Sequence, residues 1–342
     1  MKTMQSLILV LLILLVLNVC TSPIWAKAPT TPKILFTSSR DGNGEIYMMN
    51  PDGSEQVNLT QHPATDQGAV WSPAGDQILF VSDRQGTRVR DLYVMDADGS
   101  NVRRVFEKKT QGWRHRPTWS IDAKQFAYNY TDWDRVKYGL YLGTFGKEDA
   151  ESLPYGSSPV WSPDGSEIAC SVSRQFGARL TFMDVDTRDQ KQPLPDKVLL
   201  WQYTPSWSAA GDRLVIAGNR HPIPVIAELD LENARALHKA WKDKQTIFMV
   251  NRDGTGLQQL VDEAGEEAWA PEISPNGEQV LYTQQTNGEN QIFNLDVNSG
   301  VRTQLTHISR NFGGDWFDPA YTLPVSPQPH LLTTTWGDVK KQ

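Results

Sequence analysis

Several short runs carry side chains that could bind or transform a ligand: Trp113-Arg114-His115-Arg116, Trp201-Gln202-Tyr203, Glu266-Glu267 with Trp269, and Arg310-Asn311-Phe312, with Asp66-Gln67 in a related place. Aromatic and arginine side chains around a concave opening are the material of a protein-binding hot spot. The alternative chemistry is general acid–base catalysis, in which Glu266, Glu267 and Asp315 act with His115 and Arg114 on a carbohydrate or small substrate. Against a hydrolase stands the absence of any Gly-x-Ser-x-Gly run, which a nucleophile elbow needs. Gly42-Asn43-Gly44 is followed by Tyr47 where a dinucleotide fingerprint requires glycine, so no phosphate loop is expected. His62, His115, His221, His238, His307 and His330 form no ligand-spaced pair, and neither a metal nor another cofactor is expected. Asp96-Ala97-Asp98-Gly99 opens like a calcium loop but lacks the distal acid, and reads as a turn with local side-chain hydrogen bonds.

Positioning these runs falls to a repeat. Trp71-Ser72-Pro73-Ala74-Gly75 returns as Trp119-Ser120, Trp161-Ser162-Pro163-Asp164-Gly165, Trp207-Ser208-Ala209-Ala210-Gly211, Ile273-Ser274-Pro275-Asn276-Gly277 and Trp316-Phe317-Asp318-Pro319. The spacing is roughly 45 residues with one longer interval, the period of a propeller blade. Each of the first five phrases is followed in phase by an apolar run, at 77–82, 125–130, 167–172, 213–218 and 279–284. Proline presets the turn, glycine supplies its positive φ, and the Trp or Ile is placed between blades. A second hairpin recurs at Ile46–Ser54, Leu92–Ser100 and Ile247–Thr255. The first run, Lys33 to Ser38, has no preceding phrase and the last phrase has no following strands, so the two ends complete one blade. The expected fold is therefore all-β: a six-bladed β-propeller closed by its terminal strands, with one short helical insertion in the long interval, around Glu232 to Lys244. The ligand-competent runs then sit just before the innermost strands, at one mouth of the central channel.

The chain's first residues are a separate matter. Lys2, the apolar run Leu7 to Leu17 and the small residues Ala26 and Ala28 read as a signal peptide over 1–28. The run stops at Asn18, short of the about 20 residues of a span, so the mature chain is expected to lack a membrane span. Leu17-Asn18-Val19-Cys20 is close to a lipobox, which leaves a lipid-anchored surface sensor as a third reading, with Val19 ill-suited to the motif. The propeller occupies 29–322 and a proline-rich tail 323–342. With 33 basic against 40 acidic residues the chain carries −7, more once Lys2 and Lys27 are lost, which argues against nucleic acid. Cys170 lies in an apolar run and, without Cys20, has no disulfide partner.

The repeats resemble those of the TolB family: a Trp-Ser-Pro-Asp-Gly phrase, a hydrophobic strand, then Leu92-Tyr93-Val94-Met95-Asp96-Ala97-Asp98-Gly99 and endings such as Leu59-Thr60 and Leu305-Thr306. The resemblance covers about residues 33 to 320. It implies a WD-like six-bladed propeller exported to the periplasm or beyond, and a protein-binding or scaffolding role in the cell envelope, TolB being a periplasmic part of the Tol-Pal system. The chain has no room for the α/β domain that precedes the TolB propeller, nor for the catalytic domain of propeller-bearing peptidases. The implied partners are envelope or periplasmic proteins, bound by a monomer that is not an enzyme.

Overall fold

The computed structural model describes residues 27–322 apart from 87, 88, 176, 196 and 226–229. The leader expected over 1–28, except its last two residues, Cys20 and the tail expected over 323–342 lie outside the described residues. Each repeat folds into four antiparallel strands in sequential order. In blade 2 these are Asp66–Trp71, Gln77–Ser82, Asp91–Asp96 and Arg103–Arg104. Blades 3, 4, 5 and 6 begin with the innermost strands Trp113–Trp119, Ser157–Trp161, Trp201–Trp207 and Ala268–Ile273. Blade 1 combines Lys33–Ser38, Glu45–Met49 and Val57–Asn58 with an innermost strand, Asn311–Phe317, from the other end of the chain, and Ile34 lies opposite Trp316. Neighbouring innermost strands touch in order around the ring, and Asn311–Phe317 touches Asp66–Trp71, which closes it. Strands from both chain ends thus form the seam expected from the sequence.

The core is divided in the same way, because each hydrophobic cluster spans two blades. Trp71 packs with Ile78 and Phe80 of its own blade and with Leu35, Ile46 and Phe317 of blade 1. Trp119 bridges blades 2 and 3, Trp161 blades 3 and 4, Trp207 blades 4 and 5, and Ile273 blades 5 and 6. The interface between blades 6 and 1 differs in that Trp316 is only partly buried there, while the next residue, Phe317, packs between blades 1 and 2 and meets Trp71 with ring centroids 5.3 Å apart. Removal of such apolar area from water is the main force holding the blades together. The serine of the phrase has its own task, since the hydroxyl oxygens of Ser72, Ser162 and Ser274 accept from the backbone N–H of Gln77, Glu167 and Gln279 at 3.1, 3.0 and 2.9 Å. Gly75 is required twice, by φ +72° and because a Cβ there would stand 2.1 Å from the Phe317 ring.

Every innermost strand carries a β-bulge three residues before its Trp or Ile. The bulge residues, Gly68, Arg116, Ser158, Thr204, Ala270 and Gly313, all have positive φ, from 45° to 70°. The four that are not glycine each precede a proline, which disfavours right-handed helical geometry for them and removes a ladder donor where the ladder is already broken. The helical insertion is the helix Leu231–Lys242, at the hairpin tip between Arg213–Asn219 and Thr246–Asn251 of blade 5. Asp230 caps it by accepting from the N–H groups of Glu232 and Asn233, and no helix residue is buried, as a surface helix requires. Among the described residues no helix is long and apolar enough to cross a membrane. Cys170 is fully buried, and burial pushes its thiol up to about 12, so it is inert packing.

Candidate functional site at the channel mouth

The starts of the innermost strands and the hairpin tips share one face of the ring, because Trp113 pairs with Thr131 and Trp201 with Asn219, at the far ends of their hairpins. Aromatic side chains gather there in three groups. On blade 3, Trp113 meets Trp133 edge-on at 6.4 Å, and the Arg90 guanidinium lies 4.5 Å over the Trp113 ring. On blade 5, Trp201 stacks on Tyr203 at 6.0 Å and meets Trp241 of the helix at 5.3 Å. Between blades 6 and 1, Trp269 lies 6.1 Å from Phe312, with Arg310 over the latter at 5.4 Å. Trp113, Trp201, Tyr203, Trp269 and Phe312 are half-buried, whereas Trp133 is 72% exposed.

Apart from Arg310, the charged residues of the same runs have partners of their own. Arg114 donates to the buried Asp91 of blade 2 at 2.8 Å and lies 3.8 Å over Phe106, so it braces two blades. His115 contacts the Thr131 hydroxyl at 3.2 Å; burial and then the charges of Arg116 and Arg90 press its pKa down to about 4, leaving a neutral imidazole at neutral pH. Arg116 bonds Ser158 of the neighbouring blade and remains exposed. Glu266 and Glu267 pair with Lys239 and Lys242 of the helix at 2.6 and 2.8 Å. Those two carboxylates therefore dock the helix over blade 6 while Trp241 seats it on Trp201. Glu266, Glu267, His115 and Arg114 each have a different partner, and no acid–base constellation is assembled from them. Among the described residues no group of three or more His, Cys, Asp or Glu comes together as a metal site would need.

Asp315 lies at the opposite end of the channel, in a place the residue runs did not indicate. It occupies the position just before the Trp of its phrase, where the other innermost strands carry Val70, Thr118, Val160, Ser206 and Glu272. Asp315 accepts from the backbone N–H of Trp71 at 2.5 Å. Burial raises its pKa to about 7, and burial followed by repulsion from Asp315 raises Glu272 well above the carboxylate range. An acidic residue in a register position otherwise apolar or hydroxylated was the available signal for Glu272. Because a raised folded-state pKa means that the native state holds protons the unfolded chain has released, stability is full below about pH 4 and falls as pH rises through about 7. Asp315→Asn should leave Tm near that of the parent at about pH 4 and raise it by roughly 4 °C at about pH 8, read by thermal denaturation across that range.

Comparisons with known proteins agree with this architecture. The family model described as the TolB beta propeller domain matches residues 15–138. The protein TolB homolog of Chlorobium luteolum is 38% identical over 157 residues, 44% of this chain and 33% of that protein. An uncharacterized protein of Agrobacterium fabrum is 38% identical over 102 residues, 28% of this chain and 35% of its own. The matched stretches therefore span about a third of these relatives. The crystal structure of TolB from Acinetobacter baumannii superposes with a TM-score of 0.68 at 13% identity, over 83% of this chain and 66% of that one. Repeats with this wording, folded into a ring with this closure, make the chain a TolB-like β-propeller protein.

Proposed function

We propose that this protein is an exported binding propeller of the cell envelope that docks a segment of a partner protein at the channel mouth. The observation that carries the reading is the convergence of half-buried aromatic side chains from blades 3, 5, 6 and 1 on one face, with no assembled catalytic group among them. Half-buried tryptophans and tyrosines beside arginine are what an interface core uses. The TolB homologues support an envelope partner and a periplasmic location. In this reading 1–28 is a cleaved leader, 29–322 the propeller and 323–342 an appended tail, and the mature protein acts as a monomer without a catalytic step.

The test is capture from native envelope extract with mature protein as bait, beside a Trp201→Ala/Trp269→Ala double variant whose fold is checked by circular dichroism. A partner retained by the parent should lose about tenfold or more in affinity with the variant, since truncated hot-spot aromatics cost about 2 kcal/mol or more. Equal retention by both baits would remove the mouth from consideration. An empty parent bait would turn attention to the small-ligand or catalytic reading of the channel.

A further inference from the structure

The β-bulges of the six innermost strands share one register, so their positive-φ residues form a ring at one depth of the channel. Five of them are small: Gly68, Ser158, Thr204, Ala270 and Gly313. The sixth is Arg116 of blade 3, held at φ +53° between His115 and Pro117. Its side chain follows the channel wall, because its guanidinium donates to the hydroxyl of Ser158, the bulge residue of the next blade. Arg116 differs in its partner from Arg84 and Arg114, which are spent on the buried Asp66 and Asp91. Its own acceptor is neutral, and its other N–H donors meet no acceptor among the described residues. Arg116 is exposed to water, yet the surrounding protein lowers its pKa from the ordinary value, with no carboxylate near enough to raise it. A side chain standing in a narrow wet opening meets both conditions. Its neighbours add no negative charge: burial, then the charges of Arg116 and Arg90, hold His115 neutral with a pKa of about 4, and Arg90 lies over Trp113.

A guanidinium that is partly desolvated and has no counter-ion is costly, and an anion brought to it offsets that cost. The anion's type follows from the donor, since the planar fork of arginine matches a carboxylate through two parallel hydrogen bonds. Access follows from the ring, in which no other bulge residue carries a side chain longer than that of threonine. We infer that Arg116 receives a carboxylate of the segment docked at the mouth, which enters the channel between the small residues of the ring. The same chemistry is offered by an acidic side chain and by a C-terminus. This inference rests on the docking reading and adds to it the charge of the docked group and the depth it reaches. Arg116 thereby acts as a binding residue, whereas Arg114, two positions before it on the same strand, is spent in bracing blades 2 and 3.

The experiment titrates the full chain with Nα-acetyl-glutamate amide, Nα-acetyl-glycine, the neutral Nα-acetyl-glutamine amide and inorganic phosphate, at neutral pH and constant ionic strength. The first probe stands for an acidic side chain and the second for a C-terminus, and the tighter of the two names the source. Tryptophan fluorescence follows binding, and proton NMR of the His115 imidazole locates it. A bound anion favours the imidazolium, so the His115 pKa should rise from about 4. A carboxylate probe should saturate, with the glutamine amide weaker by about tenfold or more. Arg116→Gln should lose carboxylate binding by about tenfold or more, and Arg116→Lys, which keeps the charge without the fork, should fall between. Circular dichroism checks the fold of both variants, and the His115 shift is read in the parent, so the site is tested even where a variant fails to fold. Equal binding of the neutral amide, phosphate binding where neither carboxylate binds, an unmoved His115 at saturation, no saturable carboxylate signal, or unchanged carboxylate affinity in folded Arg116→Gln would each overturn the proposal. Its failure is distinct from that of the docking reading: a partner lost through Trp201→Ala/Trp269→Ala, beside no carboxylate binding, removes the Arg116 site and leaves docking in place.

Discussion

Replacing Arg114 with alanine is expected to lower stability by about 3–5 kcal/mol, the cost of leaving a buried charge without its partner. Asp91 is fully buried, and its other donors are the neutral groups Gln85 Nε2 at 2.7 Å and the Leu92 N–H at 2.9 Å. Arg114 supplies the balancing charge at 2.8 Å, and its guanidinium covers the Phe106 ring. The pair joins blade 2 to blade 3, so its loss opens an interface as well as unbalancing a charge. A fall in Tm of roughly 5–10 °C follows from that free energy in a chain of this size. Adding Asp91→Asn to the variant should recover about half of the loss, because the neutral amide no longer needs a counter-ion, and the double-mutant cycle reports the coupling directly. Were Arg114 instead a free ligand-binding group of the mouth, Tm would stay in place while partner capture disappeared. Arg114→Ala is therefore a poor probe of binding, and the mouth is better tested through Trp201 and Trp269.

The second large effect is expected at Trp161. Its indole, 8% exposed, fills the space between Ala127, Leu140, Leu142 and Leu153 of blade 3 and Ile168 and Met183 of blade 4, and its Nε1–H donates to the Gly165 carbonyl at 3.2 Å. Trp161→Ala should cost about 3–5 kcal/mol, from lost burial and from a cavity that two packed sheets cannot collapse to fill. Trp161→Phe keeps most of the apolar contact and gives up the hydrogen bond, so its cost should be smaller, about 1–2 kcal/mol. Trp133→Ala is the contrast: at 72% exposure it should move stability by less than about 0.5 kcal/mol, while weakening any partner that the mouth binds. Urea unfolding of the three variants beside the parent separates these outcomes. A Trp161→Ala protein as stable as the parent would mean that the phrase does not sit between blades.

The helix on blade 5 has a smaller role in this ranking. Lys239 and Lys242 bond Glu266 and Glu267 at the surface, where ion pairs contribute about 0–1 kcal/mol each. Its seating relies more on Trp241, which meets the Trp201 ring and donates from Nε1 to the His221 carbonyl at 3.0 Å. The helix thus adds a tryptophan to the mouth and occupies two carboxylates that would otherwise have been available to a ligand.

Fold was legible in the chain because the information that specifies it is local and repeated. A turn with Ser, Pro and Gly at set places, an apolar strand in phase and a Trp to bury define one blade, and the incomplete units at the two ends define how the ring closes. The insertion read as helical over Glu232 to Lys244 forms at Leu231–Lys242, since its cap and its charges act within a few residues. Site chemistry was legible only in part, because it depends on which side chains meet across blades. Trp113, Trp201, Tyr203, Trp269 and Arg310 reach one face, because they lie at or near the starts of the innermost strands. Nothing near Arg114 in sequence announces Asp91, which is 23 positions away, and nothing near Glu266 announces Lys239. The pairing of Glu272 with Asp315 likewise arises only when the ring brings blade 6 beside blade 1. Residue type and spacing determined the blades, their number and the face that carries the aromatic side chains. Tertiary structure decided which charges are spent in bracing the ring and which remain free, because the energy of a charge is set by its neighbours in space.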